Sequence, residues 1–252
     1  MGLDLNLEGK KVAVIGGTRG IGRNIAETFC SKGSEVSIIG KNIKNLSLIE
    51  FVDNNHKFQC DITDPDEAEE ALGQINKQMR GIDTLVCNVG SGESVSPGEE
   101  NFQEWERMFL INFFSATNAI EKSKEFLIKS KGSIICISSI CGLEVIENAP
   151  ITYSVAKSAL NMYVKSISKH LGKYDVRINA IALGNIFFNE STWDKKLKED
   201  ESKVNKMLHK TVPLKKFGKL EDVSNLTLFL ASSISSFATG SIWTLDGGQL
   251  NN

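Results

Sequence analysis

The tightest constraint on this chain is a glycine cluster placed at one particular joint. The apolar run Val12-Ala13-Val14-Ile15 leads directly into Gly16-Gly17-Thr18-Arg19-Gly20-Ile21-Gly22, and a helical pattern follows. A strand that bends within a few residues into a helix needs positions free of a Cβ. The helix opening there offers unpaired backbone N–H groups and the positive end of its dipole, which suit a phosphate. A glycine-rich loop alone is a weak signal, and an ordinary tight turn is the plain alternative. Set after the first strand of a βαβ unit, the same cluster points to a dinucleotide.

The rest of the chain supplies that setting. Short β-branched runs begin near Lys11 (KKVAVI), Glu35 (EVSII), Lys57 (KFQC), Ile82 (IDTLVC), Gly132 (GSIICI), Val176 (VRINAI) and Ser241 (SIWTL). Several are apolar on both alternations, as strands covered on two faces are. Helical patterns begin near Gly20, Asp64, Phe102, Ile151 and Leu220. The clearest start is Asp64-Pro65-Asp66-Glu67: an acceptor cap, a proline at the first helical position, then acids at the positive helix end. The expected fold class is therefore α/β, a Rossmann-type doubly wound parallel sheet of about seven strands with helices on both faces. It is expected to form a single domain over 1–252, with one long insertion at about 185–213.

Composition narrows the function. The chain has 252 residues, 41% of them hydrophobic, enough for a sizeable core. With 29 basic against 31 acidic residues there is no basic field, so no nucleic-acid partner is expected. The Lys195 to Lys198 run precedes Glu199, Asp200 and Glu201 and reads as a solvated face. No apolar run has the length of a bilayer span, and the polar N-terminus is unlike a targeting peptide, so no membrane association is expected. Cys30, Cys60, Cys87, Cys136 and Cys141 show no metal-ligand spacing and fit reduced thiols of a cytoplasmic protein. His56, His170 and His209 are isolated, and no metal site is expected.

Tyr153 and Lys157 are the second strong feature. They stand four apart in the helical pattern TYSVAKSAL, so their side chains share a face. A free tyrosine, with a pKa of about 10, is a weak acid near neutrality. A lysine cation beside it favours the phenolate and brings the hydroxyl towards the working range. Alone, such a pair also arises by chance on exposed helices.

The Gly-x-x-x-Gly-x-Gly turn and the Tyr-x-x-x-Lys pair together resemble the short-chain dehydrogenase/reductase family, and the likeness runs from about Leu7 to Gly248. The resemblance implies a hydride transfer between a nicotinamide and a ketone or secondary alcohol. It implies four catalytic residues, Asn112, Ser139, Tyr153 and Lys157. Ser139 would hold the substrate oxygen, Tyr153 would act as general acid/base, and Lys157 would lower the tyrosine pKa and hold the nicotinamide ribose. Asn112 would place a water in the relay behind the lysine. Ser139 is preferred to Ser138 because strand alternation turns its neighbour the other way. The implied cofactor contacts are Gly16, Thr18, Arg19, Gly20, Ile21 and Gly22 in the turn, Lys41 after the second strand, and Asp61 and Ile62 at the adenine. Asn88, Gly90, Tyr153, Lys157, Gly184 and Ile186 complete the set.

The cofactor is a question of charge. An NAD-binding protein of this type places an acid at the end of the second strand. Here Ile39-Gly40-Lys41-Asn42 has glycine at that position and a cation after it, and Arg19 occupies a second position where NADP-preferring relatives carry a base. Two cations and no carboxylate suit a 2′-phosphate, so NADP(H) is expected, unless both are simply exposed charges. Four positions depart from the family pattern. Ile15 and Cys87 stand where a Thr and an Asn are usual, Leu183 replaces a proline, and Phe188 replaces a threonine near the carboxamide.

The insertion at 185–213 is expected to be a lid over a small-molecule substrate. Its Phe187, Phe188 and Trp193 could stack on a sugar, cover an acyl chain, or form the lid's own core. Glu144, Glu147 and Asn148 are expected to add polar groups near the mouth. The subgroups resembled are carrier-protein ketoacyl reductases, for which Lys129, Lys131 and Lys173 would form a basic rim, and sugar dehydrogenases. A ketosugar or polyol reductase, or a cofactor-binding regulator without catalysis, are the alternatives to a simple carbonyl reductase. The resemblance also implies a homotetramer or homodimer, built through the helices of Asn112 and Tyr153.

Overall fold

In the computed structural model, which describes residues 4–250, the strands form one parallel sheet in the order β3-β2-β1-β4-β5-β6-β7. They are β1 (Lys11–Ile15), β2 (Glu35–Gly40), β3 (Lys57–Gln59), β4 (Thr84–Cys87), β5 (Ser133–Ser139), β6 (Arg177–Leu183) and β7 (Ile242–Leu245). All seven expected strands are present. The chain leaves β1 in one direction to build β2 and β3, then returns past β1 to lay down β4 to β7. The reversal opens a crevice between β1 and β4 at their C-terminal ends, where ligands of such sheets bind.

Both faces are covered because alternate strand residues serve different cores. Ala13, Ile15, Leu85, Cys87, Ile134 and Cys136 pack on one side with α3 (Pro65–Met79), α5 (Ser115–Ser130) and α6 (Ile151–Leu171). Val12, Val14, Ile38, Val86, Ile135 and Ile137 pack on the other with α1 (Gly20–Ser31) and α8 (Leu220–Ala231). Ile15 and Cys87 are direct partners across the switch point, both buried, so apolar packing occupies the place where a Thr and an Asn are usual in the family. Truncating one such residue, Ile134→Ala for example, removes roughly 2–5 kcal/mol.

The helix starts follow the expected chemistry. Asp64 caps α3, accepting from the N–H groups of Asp66 (2.9 Å) and Glu67 (3.1 Å). Three elements go beyond the sequence reading. A short α2 (Ile43–Ser47) is capped by Asn42. The helical pattern from Phe102 is α4 (Phe102–Phe109), a wider π turn over Leu110–Phe114, and then α5. The insertion folds into α7 (Thr192–Thr211), broken at Asp200, whose carboxylate caps the second half through Lys203 N–H at 2.9 Å. Among the described residues no helix is long and apolar enough to cross a membrane.

Candidate active site

The C-terminal ends of β1, β4, β5 and β6 open into a cleft of about 560 Å³. Its cofactor-shaped end is made chiefly of backbone. Gly16 and Gly20 both take positive φ, +76° and +52°, which only glycine adopts without strain. A Cβ on Gly22 would run into the Gly16 carbonyl, so this glycine closes the turn from inside without lining the cleft. Asn88 braces the turn across the switch point, its Nδ2 donating to Gly16 O at 3.1 Å. At the start of α1, Arg19 makes no side-chain cap and the first turn carries no acid, so the leading N–H groups stay free for an anion.

Thr18, Arg19, Ile21, Lys41, Gly184 and Ile186 line the same cleft, with Gly16, Gly20, Asn88 and Gly90. At the adenine end, Asp61 and Ile62 are not among the residues that line the cleft. Ile62 is buried in the core, so its side chain is not free to lie on an adenine. Asp61 accepts from Thr63 and holds Lys41 in an ion pair at 2.5 Å. A Cβ on Gly40 would strike the Thr18 methyl, which makes this glycine a packing requirement as well as an uncharged position.

The chemical end is set by three elements. Ser139 closes β5, buried, its Oγ accepting from Cys141 N–H at 3.2 Å. Ser138 turns away, as expected, to donate to Asn161 Oδ1 at 2.6 Å. Helix α6 brings Tyr153 up to the Ser139 hydroxyl and places Lys157 behind it, with Nζ 6.0 Å from the tyrosine ring centroid. Lys157 is buried and donates to Ile137 O at 2.9 Å. Gly90 allows this closeness, because a Cβ there would lie 2.9 Å from Asn112 Oδ1 and 3.0 Å from Lys157 Nζ.

Burial pushes the Tyr153 hydroxyl up to about 12, with the neighbouring Ser139 hydroxyl acting in the opposite direction. The Lys157 ammonium is engaged with Ile137 O, and burial brings its own pKa down to about 8. The Asn112 side chain is held by the protein itself. Its Oδ1 accepts from Ser91 N–H and its Nδ2 donates to Ser91 O, each at 3.0 Å, with Met108 O at 3.1 Å. Asn112 thereby ties the β4–α4 loop to the π turn.

The lid aromatics divide between two tasks. Phe187 and Trp193 pack on Phe217, with centroids 5.8 and 5.4 Å away, beside Val204, Leu208 and Val212. Lys196 Nζ lies 4.8 Å from the Trp193 ring, so the lid's own core and a lysine share that indole. Phe188 instead rests on the glycine turn: a Cβ on Gly20 would be 2.6 Å from its ring. Glu144, Glu147 and Asn148 do not line the cleft; Ser91, Glu93, Glu190, Ser191, Thr192 and Lys195 do. Lys195 crosses the mouth to Glu93 at 3.0 Å, joining residues 102 apart in sequence, which no local pattern could have shown. Lys131 precedes the N-terminal end of β5, opposite Ser139, and pairs with Asp175. The expected basic rim is therefore at the wrong end of the sheet.

Comparison with known proteins agrees with this geometry. A family model described as enoyl-(acyl carrier protein) reductase matches residues 15–249. The 3-oxoacyl-[acyl-carrier-protein] reductase of Aquifex aeolicus is 30% identical over 98% of this chain and its own full length. The isoepoxydon dehydrogenase of Penicillium expansum is 27% identical, covering 98% of this chain and 97% of that protein. Among solved structures, the L-sorbose reductase of Gluconobacter frateurii, complexed with NADPH and L-sorbose, superposes with a TM-score of 0.90. It covers 99% of this chain and 100% of that one at 23% identity, a likeness of fold. Matched along nearly its whole length, the chain belongs to the short-chain dehydrogenase/reductase family and is an oxidoreductase acting on CH–OH and C=O groups.

Proposed function

We propose that the protein is an NADP(H)-dependent carbonyl reductase for a small polar ketone, reversible as an alcohol dehydrogenase. The observation that carries this reading is the meeting of Ser139, Tyr153 and buried Lys157 in one cleft with an uncapped glycine turn. The residues fit a dinucleotide: the glycine positions of the turn have no room for a side chain, and its free N–H groups suit a pyrophosphate. Arg19 and Lys41 hold the 2′-phosphate. Lys41 is largely exposed, and its pair with Asp61 is of a kind worth about 0–1 kcal/mol, so turning it to a phosphate costs little.

The bound nicotinamide supplies the hydride. Ser139 donates to the carbonyl oxygen and spreads its developing charge. Tyr153, held protonated by burial, donates the proton that oxygen needs. Lys157 holds the ribose and stands as the cation behind the tyrosine. With the Asn112 side chain engaged, a relay water falls to the backbone of the π turn. The segment 185–213 acts as the lid.

A carrier-bound ketoacyl substrate is the second reading, favoured by the Aquifex relative. Against it stand the polar lining near Tyr153 and the distant Lys131. NADPH oxidation over ketosugars, small diketones and acyl thioesters separates the two; turnover confined to thioesters overturns the first. Assembly as a homotetramer is supported by the exposed Phe102, Leu110, Phe114, Val155 and Met162 on α4 to α6. The five unpaired cysteines suit a reducing, cytoplasmic setting.

A further inference from the structure

The helix that delivers Tyr153 has no side-chain cap of its own. Pro150 stands at its N-cap, and Thr152, wholly buried in its first turn, is held from outside by the Ser94 hydroxyl at 2.7 Å. Ser94 Oγ in turn donates to Glu104 Oε1 at 2.5 Å. The Glu104 side chain is only 12% exposed and takes a two-pronged grip from Arg107, Nε at 2.8 Å and Nη2 at 2.6 Å. The same Arg107 Nη2 donates to the Glu93 carbonyl at 2.7 Å, and the Glu93 carboxylate holds Lys195 of the lid. A continuous polar chain therefore runs from the lid to the residue beside Tyr153.

We propose that Glu104 is a positioning residue for Tyr153: by fixing Ser94 against Thr152 it sets the first turn of α6, and through Arg107 and Glu93 it ties that turn to the lid. The proposal rests on the reading of Tyr153 as proton donor. Glu104 is suited to the task because it is the one group that both Ser94 and Arg107 meet. Its carboxyl is held down to about 2 by Arg107 and then Ser94, so the grip persists from neutral pH into the acid range. A hydroxyl at 152 is needed only for this contact, which makes Val the shape-conserving test and Ser the conservative one.

The test joins kinetics to a direct view of the tyrosine. The chain has three tyrosines, so a ¹³Cζ-tyrosine label gives a spectrum simple enough to assign with Tyr153→Phe. Glu104→Gln and Thr152→Val are expected to shift the Tyr153 resonance while Tyr163 and Tyr174 stay in place. Both should lower kcat roughly 10- to 100-fold, the scale of a small misplacement, with the KM for NADPH nearly unchanged. Thr152→Ser should restore most of the loss, and the Glu104→Gln/Thr152→Val double variant should lose little more than either alone, because one chain is cut twice. An unmoved Tyr153 resonance in both single variants, or fully additive losses, overturns the proposal. Full turnover in Tyr153→Phe would instead defeat the proton-donor reading, while the resonance still reports whether Glu104 positions the ring.

Discussion

The two ends of the cleft are built from different materials. The cofactor end is backbone: glycines at positive φ, a strand end braced by Asn88, and free N–H groups at the start of α1. The substrate end is side chains: the Lys195–Glu93 bridge, the Arg107–Glu104 pair and a lid with its own small core. Such glycine positions tolerate little change, since an added Cβ meets packed neighbours: Val89 at Gly16, Phe188 at Gly20 and the Gly16 carbonyl at Gly22. Side-chain sites can be retuned residue by residue, which is how one fold serves many substrates.

The sharpest break of that contrast is at Gly22. Gly22→Ala drives a Cβ into the Gly16 carbonyl, and calorimetry with NADPH should find binding abolished along with a stability loss of roughly 1–3 kcal/mol. Next come the phosphate cations. Arg19→Ala and Lys41→Ala should each weaken NADPH by about 1.5–3 kcal/mol, on the order of 10- to 100-fold, and leave NADH unchanged. These variants are cleaner than Gly40→Asp, whose new Cβ would also strike Thr18. A smaller effect is expected from pH. Burial lowers the Lys157 pKa to about 8, so its ammonium is present below that value and lost above it. NADPH affinity followed by fluorescence should hold below pH 8 and weaken above it, by at most about tenfold per pH unit. The least effect belongs to the lid bridge. Lys195→Ala removes an exposed pair worth about 0–1 kcal/mol, so melting should barely move while the KM for the ketone changes a few-fold.

The same division explains what could be read from sequence. The strands and the cap at Asp64 are local, and so is the glycine turn; periodicity and turn chemistry reveal them. Once the family resemblance pointed to Ser139, strand alternation separated it from Ser138, which turns to Asn161. Helix α7 escaped notice because its apolar residues are sparse among lysines and acids, and Asp200 breaks it midway. The expected solvated face at Lys195 to Lys198 is more engaged than it looks, with Lys195 on Glu93, Lys196 over Trp193 and Lys198 on Asp194. The task of Asn112 and the direction of the Tyr153 shift depend on burial and on partners distant in sequence. Spacing on a helix cannot convey either.

Hydride delivery from NADPH with Tyr153 as proton donor is the claim on which the rest depends. It is tested most directly with NADPH carrying deuterium at both nicotinamide C4 positions, comparing wild type and Tyr153→Phe on a ketone the enzyme turns over. The account predicts deuterium on the carbinol carbon of the wild-type product, a loss of turnover of roughly 10²- to 10⁴-fold in the variant, and unchanged NADPH affinity. Deuterium absent from that carbon, or turnover in Tyr153→Phe close to wild type, would contradict it.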